Sequence, residues 1–568
     1  MFHRLAYFII SGYLFIAIAH ANTEMPAAIA TAHPLATQAG FEILDQGGNA
    51  FDAAVAITAA LAVVEPSGSG LGGGGFWLLH RDSDKFQTML DGREKAPSAS
   101  HRDMYLDESG QVNPKLSLEG PLAAGIPGVP AALVHLTEQY GNLSLAQNLA
   151  PAIRYAKQGF GVSEHYQKLA QFRLAVLNAY PNSQSIFLKN KQVPKLGEKI
   201  IQTDLANTLQ QIATHGHDGF YKGKIAQKLV NDMQKHGGIW TLDDLNNYHL
   251  IERQAIVGNY NGFTITSAAL PSSGGITLLS ILNQLETLPF ETGSQSQRQH
   301  LIIETMRRAY RDRNHWLGDS DFINAPTEKL ISKDYAKQLA SSIDFDSATT
   351  NSSLEETPPA KGEDTTHFSI IDQNGNRVSA TLSINYPFGS GFVAEGTGVL
   401  LNDEMDDFSS QQGNANGYGL VADSGANEIA PNKRPLSSMS PTFIENDQQL
   451  MIIGTPGGSR IITMVLLGII DFIDGKSAQQ IVSEPRFHHQ HLPNHVQLES
   501  VGFIDNEVDQ LKQRGHEVKK LSRQYGNMQV VIHNKSTQQM SAASDPRGEG
   551  ESLVRTIKKT LKYNNAPD

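Results

Sequence analysis

The sequence predicts an α+β protein, and three observations carry that expectation. An Ala-rich segment, Asn49 to Leu61, reads as a buried helix. Residues from about 130 to 345 are mostly helical in pattern. From Thr365 the pattern changes to strands. At 568 residues the chain is long enough for a sizeable core, and its 40% hydrophobic and 18% charged residues are ordinary for a folded enzyme and unlike disorder.

Taken in chain order, the first element is not part of the fold. Met1 to Arg4 is a short basic start, Leu5 to Ala19 is apolar apart from Ser11 and Gly12, and Ala19-His20-Ala21 obeys the small-x-small rule. An apolar core of about 15 residues is short for a membrane span and suits a signal peptide, so cleavage is expected after Ala21. That places the mature protein in a periplasm or outside the cell. The chain has no cysteine, so covalent catalysis must use Ser, Thr or another group. A net charge of −12 with no basic run excludes a nucleic-acid partner.

A short apolar stretch, Ala27 to Ala30, opens the mature chain ahead of the Ala-rich helix, whose small residues permit close packing. Gly68-Ser-Gly-Leu-Gly-Gly73 matches the dinucleotide fingerprint only in letters. It follows a helix and precedes the strand-like Phe76 to Leu79, the reverse of the order a dinucleotide site needs, so it reads as a closely packed or flexible turn. Ile201 to Thr214 and Leu301 to Trp316 are amphipathic, with Arg and Asp expected on the outer face of the second. Ser347 to Asp364 is polar, contains Pro, and lacks apolar periodicity, so an exposed, mobile segment is expected. Ile461 to Ile473 is the longest later apolar run, but Asp471 interrupts it, and a buried helix explains it better than a stable membrane span. Phe487-His-His-Gln-His491 with His495 has no ligand spacing for a metal, because Pro493 breaks any helical pair. No cofactor is implied.

The strand region begins as a hairpin: Thr365 to Asp372, a turn at Gln373-Asn-Gly375, then Arg377 to Asn385. A two-residue Asn374-Gly375 turn would set Thr365 opposite Ile384. A three-residue loop with Gly375 left-handed would set it opposite Ser383, with Asn385 next on that face. The sequence does not choose between these registers. The second is preferred because it gathers three polar groups where the hairpin starts.

These residues carry a family resemblance. Asp364-Thr-Thr-His-Phe-Ser369 resembles the autoprocessing junction of the γ-glutamyltranspeptidases. The likeness extends through Asp45 to Ala54, Asp91 to Pro97, Pro271 to Gly275, Leu401 to Phe408, Pro431 to Pro441 and Gly454 to Arg460, in that order over nearly the whole mature chain. Each motif alone is weak; the ordered set is specific. The resemblance implies the four-layer αββα sandwich of N-terminal-nucleophile hydrolases. It implies a cut between Asp364 and Thr365, giving a large subunit (22–364) and a small catalytic subunit (365–568) that stay together as a heterodimer.

A threonine hydroxyl needs a base, and a newly exposed α-amino group, with an unperturbed pKa of about 8, lies close enough to serve. By resemblance Thr365 is the nucleophile and Ser383 hydrogen-bonds it; many relatives have Thr at that place. Arg93, Ser437 and Ser438 would hold the α-carboxylate of a γ-glutamyl donor, and Asn385, Glu404 and Asp407 its ammonium. The backbone N–H groups of Gly457 and Gly458 would form the oxyanion hole. Gln411 to Pro431 would be a lid loop with Tyr418 as its covering residue. His367, on the strand of Thr365, is treated as structural. The implied reaction cleaves the γ-glutamyl amide of glutathione or related donors through an acyl-enzyme and passes the acyl group to water, an amino acid or a dipeptide. Relatives that cleave glutaryl side chains of β-lactams, or poly-γ-glutamate, are the alternative within enzymes. An unprocessed periplasmic binding protein is the alternative outside them.

Overall fold

The strand pattern after residue 365 sits at the centre of the molecule, because both of its faces are covered. The structure is a computed structural model that describes residues 26–350, 365–409, 416–420 and 424–557. The expected signal peptide, Asp364 with most of the polar segment before it, and parts of the Gly- and Asn-rich loop lie outside the described residues.

Two sheets are built from strands β1 (Ala27–Thr31), β2 (Gly74–Arg81), β3 (Phe86–Gly92), β4 (Ile251–Arg253), β5 (Ile256–Tyr260), β6 (Phe263–Ser267), β7 (Thr366–Ile371), β8 (Arg377–Ser383), β9 (Thr442–Glu445), β10 (Gln449–Gly454), β11 (Gln529–Asn534), β12 (Gln539–Ser544) and β13 (Glu551–Arg555). The seven-stranded sheet runs β13-β1-β7-β8-β2-β3-β4 and the six-stranded sheet β12-β11-β10-β9-β6-β5. Neighbouring strands are antiparallel.

Side-chain alternation on β1, β7 and β8 sorts residues between two cores. Ile29, Phe368, Ile370, Val378, Ala380 and Leu382 face helices α1 (Pro34–Asp45) and α2 (Ala50–Val64). Ala28 and Ala30 turn the other way, toward the second sheet and helices α4 (Gly274–Glu286), α5 (Gln295–Trp316) and α6 (Ile461–Ile473). The layers are therefore helix, sheet, sheet, helix, the predicted sandwich.

All of α2 is buried, as its alanines require. Its first turn is held by Asn49 Oδ1, which accepts from the amides of Phe51 and Asp52 at 2.9 and 3.0 Å. Asp372, from the hairpin loop, accepts from the Ala50 amide at 2.9 Å and so ties the hairpin to that helix. The amphipathic run after Ile201 is helix α3 (Thr203–His215). The apolar run at 461 is α6 over the expected bounds.

One expectation is met with additions and one is corrected. The region from 130 to 345 is mostly helical, as expected, but it also contains β4, the edge of the seven-stranded sheet, and β5 and β6, which supply an edge of the six-stranded one. On α5 the charged residues do not face outward: Arg307, Arg308, Asp312 and Arg313 are buried, and of the Arg and Asp side chains in this stretch only Arg311 is exposed. Glu304 explains part of this by pairing with Arg307 at 3.1 Å and Arg308 at 2.7 Å.

Candidate active site

The register of the hairpin decides what Thr365 meets. β7 and β8 pair Leu382 with Thr366 and Thr381 with His367, the three-residue-loop register, and Gly375 has the left-handed φ of 84° that this loop needs. Thr365 and Ser383 consequently lie side by side, with Oγ1 and Oγ 3.4 Å apart. The Asn385 amide donates to Ser383 Oγ at 2.7 Å, which leaves the serine hydroxyl proton available to another acceptor.

The remaining groups come from strand ends. Arg93 follows β3, Asn385 follows β8, Ser437 and Ser438 precede β9, and Gly457 and Gly458 follow β10. Glu404 and Asp407 sit on one short helical turn, Glu404–Asp407. Thr365, Ser383, Arg93, Asn385, Glu404, Asp407, Tyr418, Ser437, Ser438 and Gly458 all line one cavity of about 320 Å³. Thr365 also lines a wider cleft on its other side.

Arg93 is 1% exposed and central to the charge balance. Its Nη1 donates to Glu404 Oε2 at 2.6 Å, its Nη2 to Asp407, and its Nε to the Pro435 carbonyl at 3.1 Å. The guanidinium is thus already paired with two acids that the resemblance assigns to the opposite charge of the substrate. Burial pushes the Glu404 carboxyl up to about 7, against the pull of Arg93 and with a push from Asp407. Glu404 Oε1 has no hydrogen-bond partner among the described residues. Glu94 lies beneath, 3.5 Å from Arg93, and burial raises it well above the usual carboxylate range.

Asn385 holds a left-handed φ of 73° and donates to the Asp403 carbonyl at 2.9 Å. Tyr418 donates to the Asn385 carbonyl at 3.1 Å and packs its ring against Gly458, where any Cβ would lie 2.3 Å from the ring. Gly457 and Gly458 have φ of 143° and 56° and lead into the short helical turn Gly458–Arg460 before α6; Gly458 lines the cavity and Gly457 adjoins it in the chain.

His367 lies between the sheets. It bonds Thr381 Oγ1 at 2.9 Å and Ser369 Oγ at 3.2 Å, fills the space beside Gly454, and is pushed by burial down to about 3. A neutral histidine engaged on both ring nitrogens has no nitrogen left to take a proton from Thr365. The Gly68–Gly73 turn is tightly packed: a Cβ on Gly72 would lie 2.0 Å from the Leu400 carbonyl oxygen, and one on Gly73 would lie 2.2 Å from that of Ser383. His488 is held by Thr463 at 2.9 Å and Gln490 at 2.8 Å, and no group of metal-binding side chains occurs among the described residues.

Of the lining residues that escaped the sequence reading, one is charged. Arg313 of α5 reaches the cavity, and its Nη2 donates to Ser438 Oγ at 3.0 Å. A signal was present: Ile302, Met306, Ala309 and Arg313 share the 3.6-residue stripe, which puts this arginine on the buried face.

Comparison with known proteins bears on this geometry. Residues 36–554 match the family model described as gamma-glutamyltranspeptidase. The chain is 41% identical over 527 residues to a glutathione hydrolase proenzyme of Escherichia coli (strain K12), covering 91% of this chain and 90% of that one. It is 44% identical over 492 residues to one of Pseudomonas sp. (strain A14), covering 85% of each. Among solved structures, a Helicobacter pylori gamma-glutamyltranspeptidase superposes with a TM-score of 0.55 at 42% identity, over 56% of this chain and 92% of that one. A cephalosporin acylase from Bacillus halodurans superposes with a TM-score of 0.82 at 26% identity, over 97% of this chain and 99% of that one.

Proposed function

The chain belongs to the γ-glutamyltranspeptidase family, and from that premise we propose that it is a proenzyme cut between Asp364 and Thr365, whose new N-terminal threonine cleaves γ-glutamyl amides. The observation that carries this reading is the position of Thr365. Its hydroxyl lies beside Ser383, on the wall of a cavity lined by buried groups of both charges.

Thr365 Oγ1 attacks the γ-carbonyl carbon of the donor, and the freed α-amino group of Thr365 takes the hydroxyl proton. The oxyanion forms against the Gly457 and Gly458 amides, which a side chain at either position would displace. The α-amino group then gives its proton to the leaving amine, and the acyl group remains as an ester on Thr365. Water, or the amine of an amino acid or dipeptide, attacks that ester and regenerates the hydroxyl. Ser383 keeps the Thr365 hydroxyl in place.

At the other end of the donor, Ser437, Ser438 and Arg93 receive the α-carboxylate. Glu404 Oε1, Asp407 and Asn385 receive the ammonium. A donor of this kind completes a set of charges that are only partly paired within the protein. Glutathione fits this description and is the proposed donor. A glutaryl donor has no ammonium and would leave the two acids without a ligand, so the likeness to a cephalosporin acylase does not extend to a glutaryl preference. We place the two subunits at 22–364 and 365–568 and the mature protein in the periplasm or outside the cell after removal of residues 1–21. Among the described residues no helix is long and apolar enough to cross a membrane.

Sequencing the smaller fragment of the purified protein from its N-terminus tests the reading. Thr-Thr-His-Phe is expected. Any other start moves the nucleophile, and an uncut chain without activity on γ-glutamyl-p-nitroanilide supports a binding protein instead.

A further inference from the structure

Arg313 is 5% exposed, yet no carboxylate lies within ion-pair distance of it among the described residues. Its guanidinium is spent on neutral acceptors: Nε on Ser273 Oγ at 2.9 Å, Nη1 on Asn314 Oδ1 at 3.3 Å, and Nη2 on Ser438 Oγ at 3.0 Å. Ser273 in turn donates through its hydroxyl and its amide to the Ser437 carbonyl, at 2.7 and 2.8 Å, so one arginine braces both serines. Arg93, the other arginine of the cavity, is by contrast neutralised by Glu404 and Asp407.

A buried cation with no anion in contact is costly, and burial lowers this guanidinium to about 10 against the pull of Tyr310 and of the more distant Asp407. Because Ser438 Oγ accepts from Arg313, its own proton must be donated elsewhere, and Ser438 lines the cavity.

We propose that Arg313 is a positioning residue for the donor's α-carboxylate: it turns the Ser438 hydroxyl into a donor aimed at that carboxylate and supplies the buried positive charge for which the carboxylate is the counter-ion. The inference rests on the reading that this cavity takes a γ-glutamyl group. It adds α5 to the carboxylate's partners beside Arg93, which also holds Glu404 and Asp407 in place for the ammonium.

The test uses the full-length, self-processed protein with γ-glutamyl-p-nitroanilide as donor. If the parent does not cleave this donor, the functional reading fails rather than this one. In Arg313→Gln, KM is expected to rise roughly 30-fold or more while kcat stays within about threefold, the loss typical of removing one partner of a buried charge pair. Arg313→Lys, which keeps the charge but not the fork, should recover most of that KM. Combined with Ser438→Ala, Arg313→Gln should add much less than it does alone, because the two act on one carboxylate. An unchanged KM, a loss confined to kcat, or additive effects in the double variant would overturn the assignment. So would failure of both Arg313 variants to fold or to process, since the arginine would then be part of the framework.

Discussion

Thr365 stands between two unlike spaces. On one side is the cavity of about 320 Å³, where Arg93 and Glu404 are each 1% exposed and locked to one another. On the other is a cleft of about 1430 Å³ edged by Lys168, Phe172, Arg460, Arg523 and Arg547, in which Lys168 is exposed and Phe172 is 44% exposed. A small space with buried, mutually paired charges discriminates strongly, since a misfitting ligand leaves a desolvated charge unmatched. A wide, solvated cleft screens its charges and discriminates weakly. On the proposed reading, with the acyl group in the cavity and the amine in the cleft, the acyl group is read closely and the amine loosely.

The largest expected effect removes the wall itself. Thr365→Ala should give a single uncut chain on a denaturing gel and lower kcat by at least about 1,000-fold. A cut variant would break the comparison by showing that another residue divides the two spaces. Next comes the closed side: Asp407→Asn should raise KM for a γ-glutamyl anilide by about 100-fold and leave KM for a glutaryl anilide nearly unchanged. Equal effects on the two donors would mean that Asp407 does not read the ammonium.

The acidity of Glu404 gives an effect of intermediate size. Its carboxyl is pushed up to about 7, so it gains a proton as pH falls through that value and loses the charge that attracts an ammonium. KM for γ-glutamyl donors should therefore rise as pH drops below about 7, approaching tenfold per unit, and Glu404→Gln should abolish that limb. Ser383→Ala should lower kcat about tenfold through loss of a hydrogen bond to the nucleophile, whereas Ser383→Thr should stay within about threefold. The smallest effect belongs to the open side. Lys168→Ala should change KM for small donors by no more than about twofold. A change as large as that at Asp407 would show the cleft to be as selective as the cavity.

How much of this was legible in the chain depended on whether the relevant interaction was local. The hairpin was readable because alternation and Gln373-Asn-Gly375 are local signals, although the choice of register was left to the loop geometry around Gly375. Helices α2 and α6 were readable because an unbroken apolar run has no exposed face to offer. Helix α5 was misread for the complementary reason. Charged side chains normally face water, and neither Glu304 as partner for Arg307 and Arg308 nor Ser273 and Ser438 as partners for Arg313 can be inferred from spacing along one helix. Strands β5 and β6 went unseen although they form a tight hairpin around Asn261-Gly262; what fixes that hairpin in the sheet is the pairing of β6 with β9, which follows it by more than a hundred residues.

The order of residues carried the family resemblance, and through it the proposed nucleophile, the proposed junction before it and the set of polar groups around it. These are matters of chemical type and order, which a chain carries in one dimension. Folding alone decided how the groups share their charges: Arg93 is bound to Glu404 and Asp407, Arg313 has no carboxylate in ion-pair contact among the described residues, and Thr365 faces two spaces. Such pairings depend on distances of a few ångströms between segments hundreds of residues apart, and on how much water burial removes from each. Neither quantity exists before the two sheets close upon one another.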